Sequence, residues 1–258
     1  MPIDMKARVV ANDKIAPSIH LLTFAAAKIA EEAIAGQFIH VYCGDNLTLR
    51  RPFSICDTDK TKGTVQIGVE VKGPGTAYLS KLKVGQKNYI MGPLGNGFTV
   101  NPDHYKIAMI SGGAGAFPLM FLAKSLPPSV RHLFGGFRTA ERFVLRERYD
   151  DLTMTVIATD DGSLGYKGLI TDQFDKALNQ EGWYDAIYAC GPRPMLKRVA
   201  ELAAKWKIPC QIAMENIIVC GYGACLGCVI PVRDALGKQI NKRVCKDGPV
   251  FDSREIIF

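Results

Sequence analysis

A chain of 258 residues with 48% apolar and 22% charged residues can bury two cores and is too apolar to stay disordered. Its net charge of +7 comes from 32 Lys and Arg against 25 Asp and Glu. The basic residues are scattered (Lys81 and Lys83, Arg146 and Arg148, Lys242 and Arg243), which argues against nucleic-acid binding while suiting phosphate-bearing small molecules. No stretch approaches the length of a bilayer span, and Met1–Lys6 lacks the apolar core of a signal peptide, so a cytoplasmic location with reduced thiols is expected.

In chain order, residues 1–100 read as all-β. Met5–Val10, Ile19–Phe24, Phe38–Tyr42, Arg51–Cys56, Thr64–Val71 and Asn88–Met91 are short apolar or alternating runs separated by glycine- and proline-rich turns, the pattern of a small antiparallel barrel. Residues 101–213 alternate instead. Strands are expected at Tyr105–Ile110, Arg131–Phe137, Met154–Thr159, Ala186–Ala189 and Gln211–Ala213, with helical stretches at Phe117–Ser125, Leu169–Asn179 and Pro194–Lys205, which predicts a doubly wound parallel α/β sheet. Residues 214–258 are glycine- and cysteine-rich with little periodicity. They predict a small third domain that depends on a metal centre.

Four of the eight cysteines fall within that tail. Cys220-x4-Cys225-x2-Cys228, then sixteen residues to Cys245, is the spacing of a plant-type [2Fe–2S] cluster. Gly221, Gly223, Ala224 and Gly227 keep side chains small where backbone N–H groups must approach sulfur. A structural zinc site is the competing reading, but zinc ribbons pair two C-x2-C knuckles and only one is present. Cys43, Cys56 and Cys210 are single residues in apolar surroundings and read as core.

Arg50-Arg51-Pro52-Phe53-Ser54 opens a barrel strand, where an arginine can grip a pyrophosphate and a serine can bond a phosphate or flavin edge. Lys72-Gly73-Pro74-Gly75-Thr76 turns into a helix expected at Thr76–Leu82, a second anion-compatible point. Together they favour a flavin nucleotide. In the α/β region Ser111–Pro118 holds Gly112, Gly113 and Gly115 but has Pro118 where a dinucleotide fingerprint ends in glycine, and no acidic residue closes the second strand. A glycine-lined turn at a strand's carboxyl end remains, and Cys190-Gly191-Pro192 closes another strand at the same edge.

The barrel R-P-F-S, the G-P-G-T turn, M-G-P-L-G-N-G-F, G-G-x-G-x-x-P and C-G-P-x-P-M together resemble the ferredoxin–NADP reductase superfamily. The tail M-E-N-I-I-V-C-G-Y-G-A-C-L-G-C followed by V-C-K-D-G-P-V-F narrows this, over essentially the whole chain, to a resemblance to electron-transfer subunits of class B (NAD-dependent) dihydroorotate dehydrogenase. The resemblance implies FAD at Arg51, Pro52, Phe53 and Ser54, at Gly68, Val69 and Glu70, and at Gly75 and Thr76. It implies the cluster on Cys220, Cys225, Cys228 and Cys245, and it is consistent with NAD at Gly112, Gly113, Gly115, Cys190, Gly191 and Pro192. It further implies hydride exchange between nicotinamide and FAD, single electrons passing through the cluster to or from an FMN-bearing catalytic subunit, a role in pyrimidine biosynthesis, and a heterotetramer with two copies of each subunit. No catalytic acid or base is expected, because the cofactors carry the chemistry.

Val69-Glu70 stands where the family usually has an aromatic–arginine pair. Ser111, Ala114, Ala116 and Phe117, and Ile218-Val219 before the first cysteine, also depart from the family pattern. These differences keep open a paralogue serving another NAD(P)H-dependent assembly, such as a sulfhydrogenase or a glutamate-synthase-like complex. A zinc-binding interaction module is the non-redox alternative. Arg138, after the second strand, raises NADPH as an alternative to NADH.

Overall fold

In the computed structural model, which describes residues 2–45 and 47–258, the chain forms two compact units. The first contains residues 1–97, 215–230 and 242–249. Its strands are β1 (Ile3–Ala16), β2 (Ile19–Ala25), β3 (Phe38–Val41), β4 (Arg51–Asp59), β5 (Thr64–Glu70) and β6 (Lys87–Leu94), with helices α1 (Ala27–Glu32) and α2 (Pro74–Ser80) between them. They close a barrel in the order β1-β2-β5-β4-β3-β6, every neighbouring pair antiparallel. All six strands stand where hydrophobic patterning placed them.

β5 shows why. Val65, Ile67 and Val69 are fully buried while Gln66, Gly68 and Glu70 are not, so the two-residue period turns one set inward. Leu22, Phe24, Ile39, Ile55, Ile67 and Ile90 are also fully buried, each burial contributing about 1.5–3 kcal/mol. The long β1 carries bulges between Val9 and Ala11 and between Lys14 and Ala16, which bend it so that it can pair with β2 and β6. α1 is an addition to the sequence reading: a single short turn of helix held by buried Ile29 and Ala30.

The second unit contains residues 98–214, 231–241 and 250–258. It runs β7 (Lys106–Gly112), α3 (Ala116–Ser125), β8 (Val130–Phe137), α4 (Arg146–Asp150), β9 (Met154–Thr159), β10 (Tyr166–Lys167), α5 (Ile170–Glu181), β11 (Ala186–Cys190), α6 (Arg193–Trp206) and β12 (Cys210–Ala213). A hairpin of β13 (Val229–Arg233) and β14 (Gln239–Arg243) precedes β15 (Val250–Asp252). The sheet order is β10-β9-β8-β7-β11-β12-β15. All its pairs are parallel except β12 with β15, whose register sets Gln211 against Asp252.

The winding reverses at β7. From it the chain steps outward through β8, β9 and β10, then returns to its other side for β11 and β12. A crevice therefore opens at the carboxyl ends of β7 and β11, the place where open α/β sheets bind ligands. The tail beyond Met214 contributes 215–230 and 242–249 to the barrel unit and 231–241 and 250–258 to the sheet unit. All four cysteines of the spaced set therefore belong with the barrel.

Candidate cofactor sites

Cys220, Cys225 and Cys228 lie on one loop, and the chain returns to that loop at Cys245. The Val244 N–H donates to the Cys228 carbonyl at 3.0 Å, and the Cys245 N–H to the Cys228 sulfur at 3.4 Å. The thiols fall into two neighbouring pairs, Cys220 with Cys225 and Cys228 with Cys245. Among the described residues no three or more His, Cys, Asp or Glu side chains converge on a single-ion position. Two thiol pairs side by side suit a two-iron centre, which these four cysteines would hold and which would supply single-electron transfer.

The loop is also lined with donors. Burial alone would raise the Cys220 thiol, but the N–H groups of Cys225, Tyr222 and Ala224 outweigh it and bring the group down to about 6. Cys245 moves the other way, through burial and the adjoining Cys228 and Cys220 sulfurs. The Gly227 N–H donates to Cys225 Sγ at 3.4 Å. These amides would serve metal-bound thiolates equally well, so the residues present fit the cluster.

Two glycines are required here for stated reasons. Gly221 has φ +83°, and a Cβ on it would lie 2.9 Å from His40 Nδ1; Gly223 has φ +90°, and a Cβ there would meet the Lys246 stem at 2.6 Å. His40 was not singled out in the sequence. It lies on β3, is 1% exposed, and its Nε2 has no partner among the described residues. Burial first, then the charges of Arg50 and Arg51, hold its ring neutral with a pKa of about 4, while a hydrogen bond with the Ile218 backbone works against them. Its only sequence signal is a polar residue inside the apolar run Phe38–Tyr42.

The residues expected at the flavin gather on neighbouring strands. Pro52 pairs with His40 and Ser54 with Phe38 across β3 and β4; Ile55 pairs with Ile67 across β4 and β5, and Ser54 and Gly68 are the next residues along. Arg51, Pro52, Phe53 and Ser54 are half-buried. Arg50 is committed elsewhere, bidentate to Asp4 at 2.9 and 3.1 Å, whereas the Arg51 guanidinium donates to the carbonyls of Leu49 and Arg50 and to no carboxylate among the described residues. The side chain of Val69 is fully buried in the barrel, so only its backbone can meet a ligand. Glu70 pairs with Lys72 at 2.7 Å. The Thr76 hydroxyl accepts the N–H groups of Lys72 and Gly73 at 2.9 and 3.1 Å, and so caps α2. Gly75 is close-packed, a Cβ there meeting Cys43 at 3.1 Å and Leu47 at 3.2 Å.

In the second unit a cavity of about 550 Å³ opens at the carboxyl edge of the sheet. Of the residues expected at the nucleotide, Gly112, Gly113 and Pro192 line it and Gly115, Cys190 and Gly191 do not; Arg138 also lines it. The glycines divide by cause. A Cβ on Gly112 would lie 2.5 Å from Pro192 Cδ, and one on Gly115 only 1.9 Å from the Cys190 carbonyl oxygen, so both exist to let the turns after β7 and β11 pack. Gly113 has φ +52° and open space where its Cβ would be. Cys190 is buried at the end of β11, and Gly191 packs on Gly112. Asp160, Thr171, Asp172, Met195 and Arg198 also line the cavity and were not anticipated. Asp160 directly follows the last residue of β9, so an expected strand end next to an acidic residue was the missed signal.

A closed antiparallel barrel, a doubly wound sheet and a four-cysteine loop define a flavin- and iron–sulfur-binding protein with the ferredoxin reductase fold. Residues 6–98 match the oxidoreductase FAD-binding domain, and residues 215–257 the iron–sulfur cluster binding domain of dihydroorotate dehydrogenase B. The chain is 39% identical to the dihydroorotate dehydrogenase B (NAD(+)) electron transfer subunit of Caldanaerobacter subterraneus subsp. tengcongensis, over 98% of each chain. It is 36% identical to that of Clostridium acetobutylicum, over 97% of this chain and 96% of the other. It belongs to the family of dihydroorotate dehydrogenase B electron transfer subunits. Among solved structures, that of an NADH-dependent reduced ferredoxin-NADP oxidoreductase superposes with a TM-score of 0.88 at 28% identity, covering 98% of this chain and 90% of that one. The ferredoxin reductase of a carbazole 1,9a-dioxygenase shares the fold, with a TM-score of 0.69 at 23% identity over 81% of this chain and 67% of the other.

Proposed function

We propose that the chain conducts electrons between NAD and the FMN of a dihydroorotate dehydrogenase catalytic subunit, through FAD on the barrel and a [2Fe–2S] cluster on Cys220, Cys225, Cys228 and Cys245, as a step of pyrimidine biosynthesis. The observation that carries this reading is the arrangement of the four cysteines as two adjoining pairs within the unit that also holds the expected flavin strands. FAD would be held by Arg51, which is not tied to a carboxylate, by the half-buried Pro52, Phe53 and Ser54, by Gly68 and the backbone of Val69 with Glu70 beside them, and by the turn through Gly75 and Thr76. The nicotinamide nucleotide would occupy the cavity bounded by Gly112, Gly113 and Pro192, with Gly115, Cys190 and Gly191 packing the bordering turns against each other.

When bound, flavin supplies hydride exchange and the cluster supplies single-electron transfer; the protein positions them and excludes side reactions. Around the cysteine loop Ile217, Val219, Tyr222, Leu226 and Val229 are exposed, as is Cys225. So many large apolar side chains within thirteen residues mark a face that a partner covers, and we assign it to the catalytic subunit, in a heterotetramer of two copies each. The protein is expected in the cytoplasm; no helix among the described residues is long and apolar enough to cross a membrane.

The test is an anaerobic visible spectrum of the purified chain with flavin, iron and sulfide determined per chain, followed by titration with NADH and NADPH. Flavin with two irons and two sulfides, bleached by NADH, is expected. Dihydroorotate-dependent reduction of NAD+ should appear only when the catalytic subunit is added. A colourless preparation with stoichiometric zinc, or no activity with a competent catalytic subunit, would overturn the reading.

A further inference from the structure

An ion pair beside the cysteines has no part in the scheme above. Arg243 and Asp247 are joined bidentately, Nε to Oδ2 and Nη2 to Oδ1, each at 2.9 Å. Asp247 Oδ2 also accepts the backbone N–H of Arg243 at 2.7 Å. The Arg243 carbonyl in turn accepts the N–H groups of Lys246, Asp247 and Gly248, at 3.2, 2.8 and 3.2 Å. Residues 243–248 thus close into a tight turn with Cys245 inside it.

The remaining arm of the guanidinium leaves this turn. Arg243 Nη1 donates to the Gly223 carbonyl at 3.1 Å. Gly223 sits midway between Cys220 and Cys225, and the Lys246 stem lies over it. One guanidinium therefore ties the turn that carries Cys245 to the loop that carries Cys220 and Cys225. A surface ion pair by itself is worth about 0–1 kcal/mol and would explain none of this. What sets this one apart is the bond to the loop and the rigid fork that aims it. Both side chains are only about 30% exposed, 28% for Arg243 and 30% for Asp247, so solvent screens them incompletely.

We propose that Arg243 is a positioning residue for the iron–sulfur centre, fixing the Gly223 carbonyl and placing a cation between the turn that carries Cys245 and the loop that carries Cys220 and Cys225, while Asp247 aims the guanidinium and cancels part of its charge. This rests on the cluster reading above. Reduction adds one negative charge to such a centre. A nearby cation favours the reduced form and a nearby carboxylate disfavours it, so the two residues act on the potential with opposite sign.

The test is a redox titration of the cluster by electron paramagnetic resonance in the full chain, for wild type, Asp247→Asn, Arg243→Gln and Arg243→Lys, with iron and sulfide measured on each. Asp247→Asn should shift the midpoint upward and Arg243→Gln downward, and Arg243→Lys, which keeps the charge, should return it toward wild type. A merely structural brace would give shifts of one sign, or none, and either result overturns the proposal. If Arg243→Gln does not retain iron, Asp247→Asn decides: an upward shift supports the proposal, and an unmoved midpoint overturns it. Wild type without iron and sulfide would sink the cluster reading and this inference with it, whereas a loaded wild type with unmoved variants sinks the inference alone.

Discussion

Gly115 lies so close to the carbonyl of Cys190 that a single added methyl would sit 1.9 Å from that oxygen. The obstacle is backbone at the end of a central strand, so nothing flexible can give way. The two turns that border the cavity at the carboxyl edge of the sheet are thus locked to each other by the absence of one carbon.

Gly115→Ala should therefore push the turns after β7 and β11 apart, at about 1–3 kcal/mol, which if passed on in full to the cavity corresponds to roughly fivefold to 150-fold weaker binding of NADH. Flavin and iron content should stay at wild-type levels. Gly113→Ala meets open space and should cost only its backbone strain. Rapid-mixing measurement of flavin bleaching against NADH concentration checks both; equal effects from the two variants would contradict the packing account.

The two adjacent arginines should separate cleanly. Arg50 is ion-paired with Asp4, whereas Arg51 pairs with no carboxylate among the described residues. Arg51→Ala should lower FAD retention by tenfold or more, since a charge-assisted bond to phosphate is worth about 1.5–3 kcal/mol. Arg50→Ala should leave flavin content nearly unchanged. Flavin released on desalting is the measurement.

Serine at any one of Cys220, Cys225, Cys228 or Cys245 should abolish the iron signal. Bleaching of FAD by NADH should survive, while electron delivery to the catalytic subunit is lost. Cys56 is fully buried in the barrel, and Cys56→Ala should cost only about 1–2 kcal/mol of stability with the iron signal intact. Iron analysis alongside the two activities distinguishes these outcomes.

His40 gives the barrel a defined acid limit. Its pKa falls from 6.5 to about 4, because burial and the charges of Arg50 and Arg51 disfavour the imidazolium. The unfolded chain then binds a proton that the folded one refuses. Stability is complete above the unfolded value and is lost as pH falls from 6.5 toward 4, by about 3 kcal/mol in all. Urea unfolding of His40→Asn should lose less stability than wild type over this window, and parallel curves would refute the assignment.

What could be read from the sequence was local. Alternation such as Val65, Ile67 and Val69 determines a strand and its inward face, because the two-residue period is a property of the extended backbone itself. The cysteine spacing points to a proposed ligand set for the same kind of reason: three of the four thiols lie within nine residues, and their geometry is the geometry of one loop. The glycines after β7 were visible as a turn, though not as a packing surface, since the atoms that demand Gly112 and Gly115 belong to Pro192 and Cys190, far along the chain.

By itself, then, the sequence determined the barrel, the winding of the sheet, the four cysteines and the basic residues from which a flavin grip could be drawn. Only the tertiary structure decided which arginine is spent on Asp4 and which is available, that Val69 faces the barrel interior, that His40 lies under Gly221, and that Arg243 reaches Gly223. The physical reason is range. Propensity, periodicity and ligand spacing act over a few residues, whereas the charge, burial and hydrogen bonding that assign a side chain its role depend on partners the chain brings back from twenty residues away, as for Arg243 and Gly223, to 46 for Arg50 and Asp4 and farther still for His40 and Gly221.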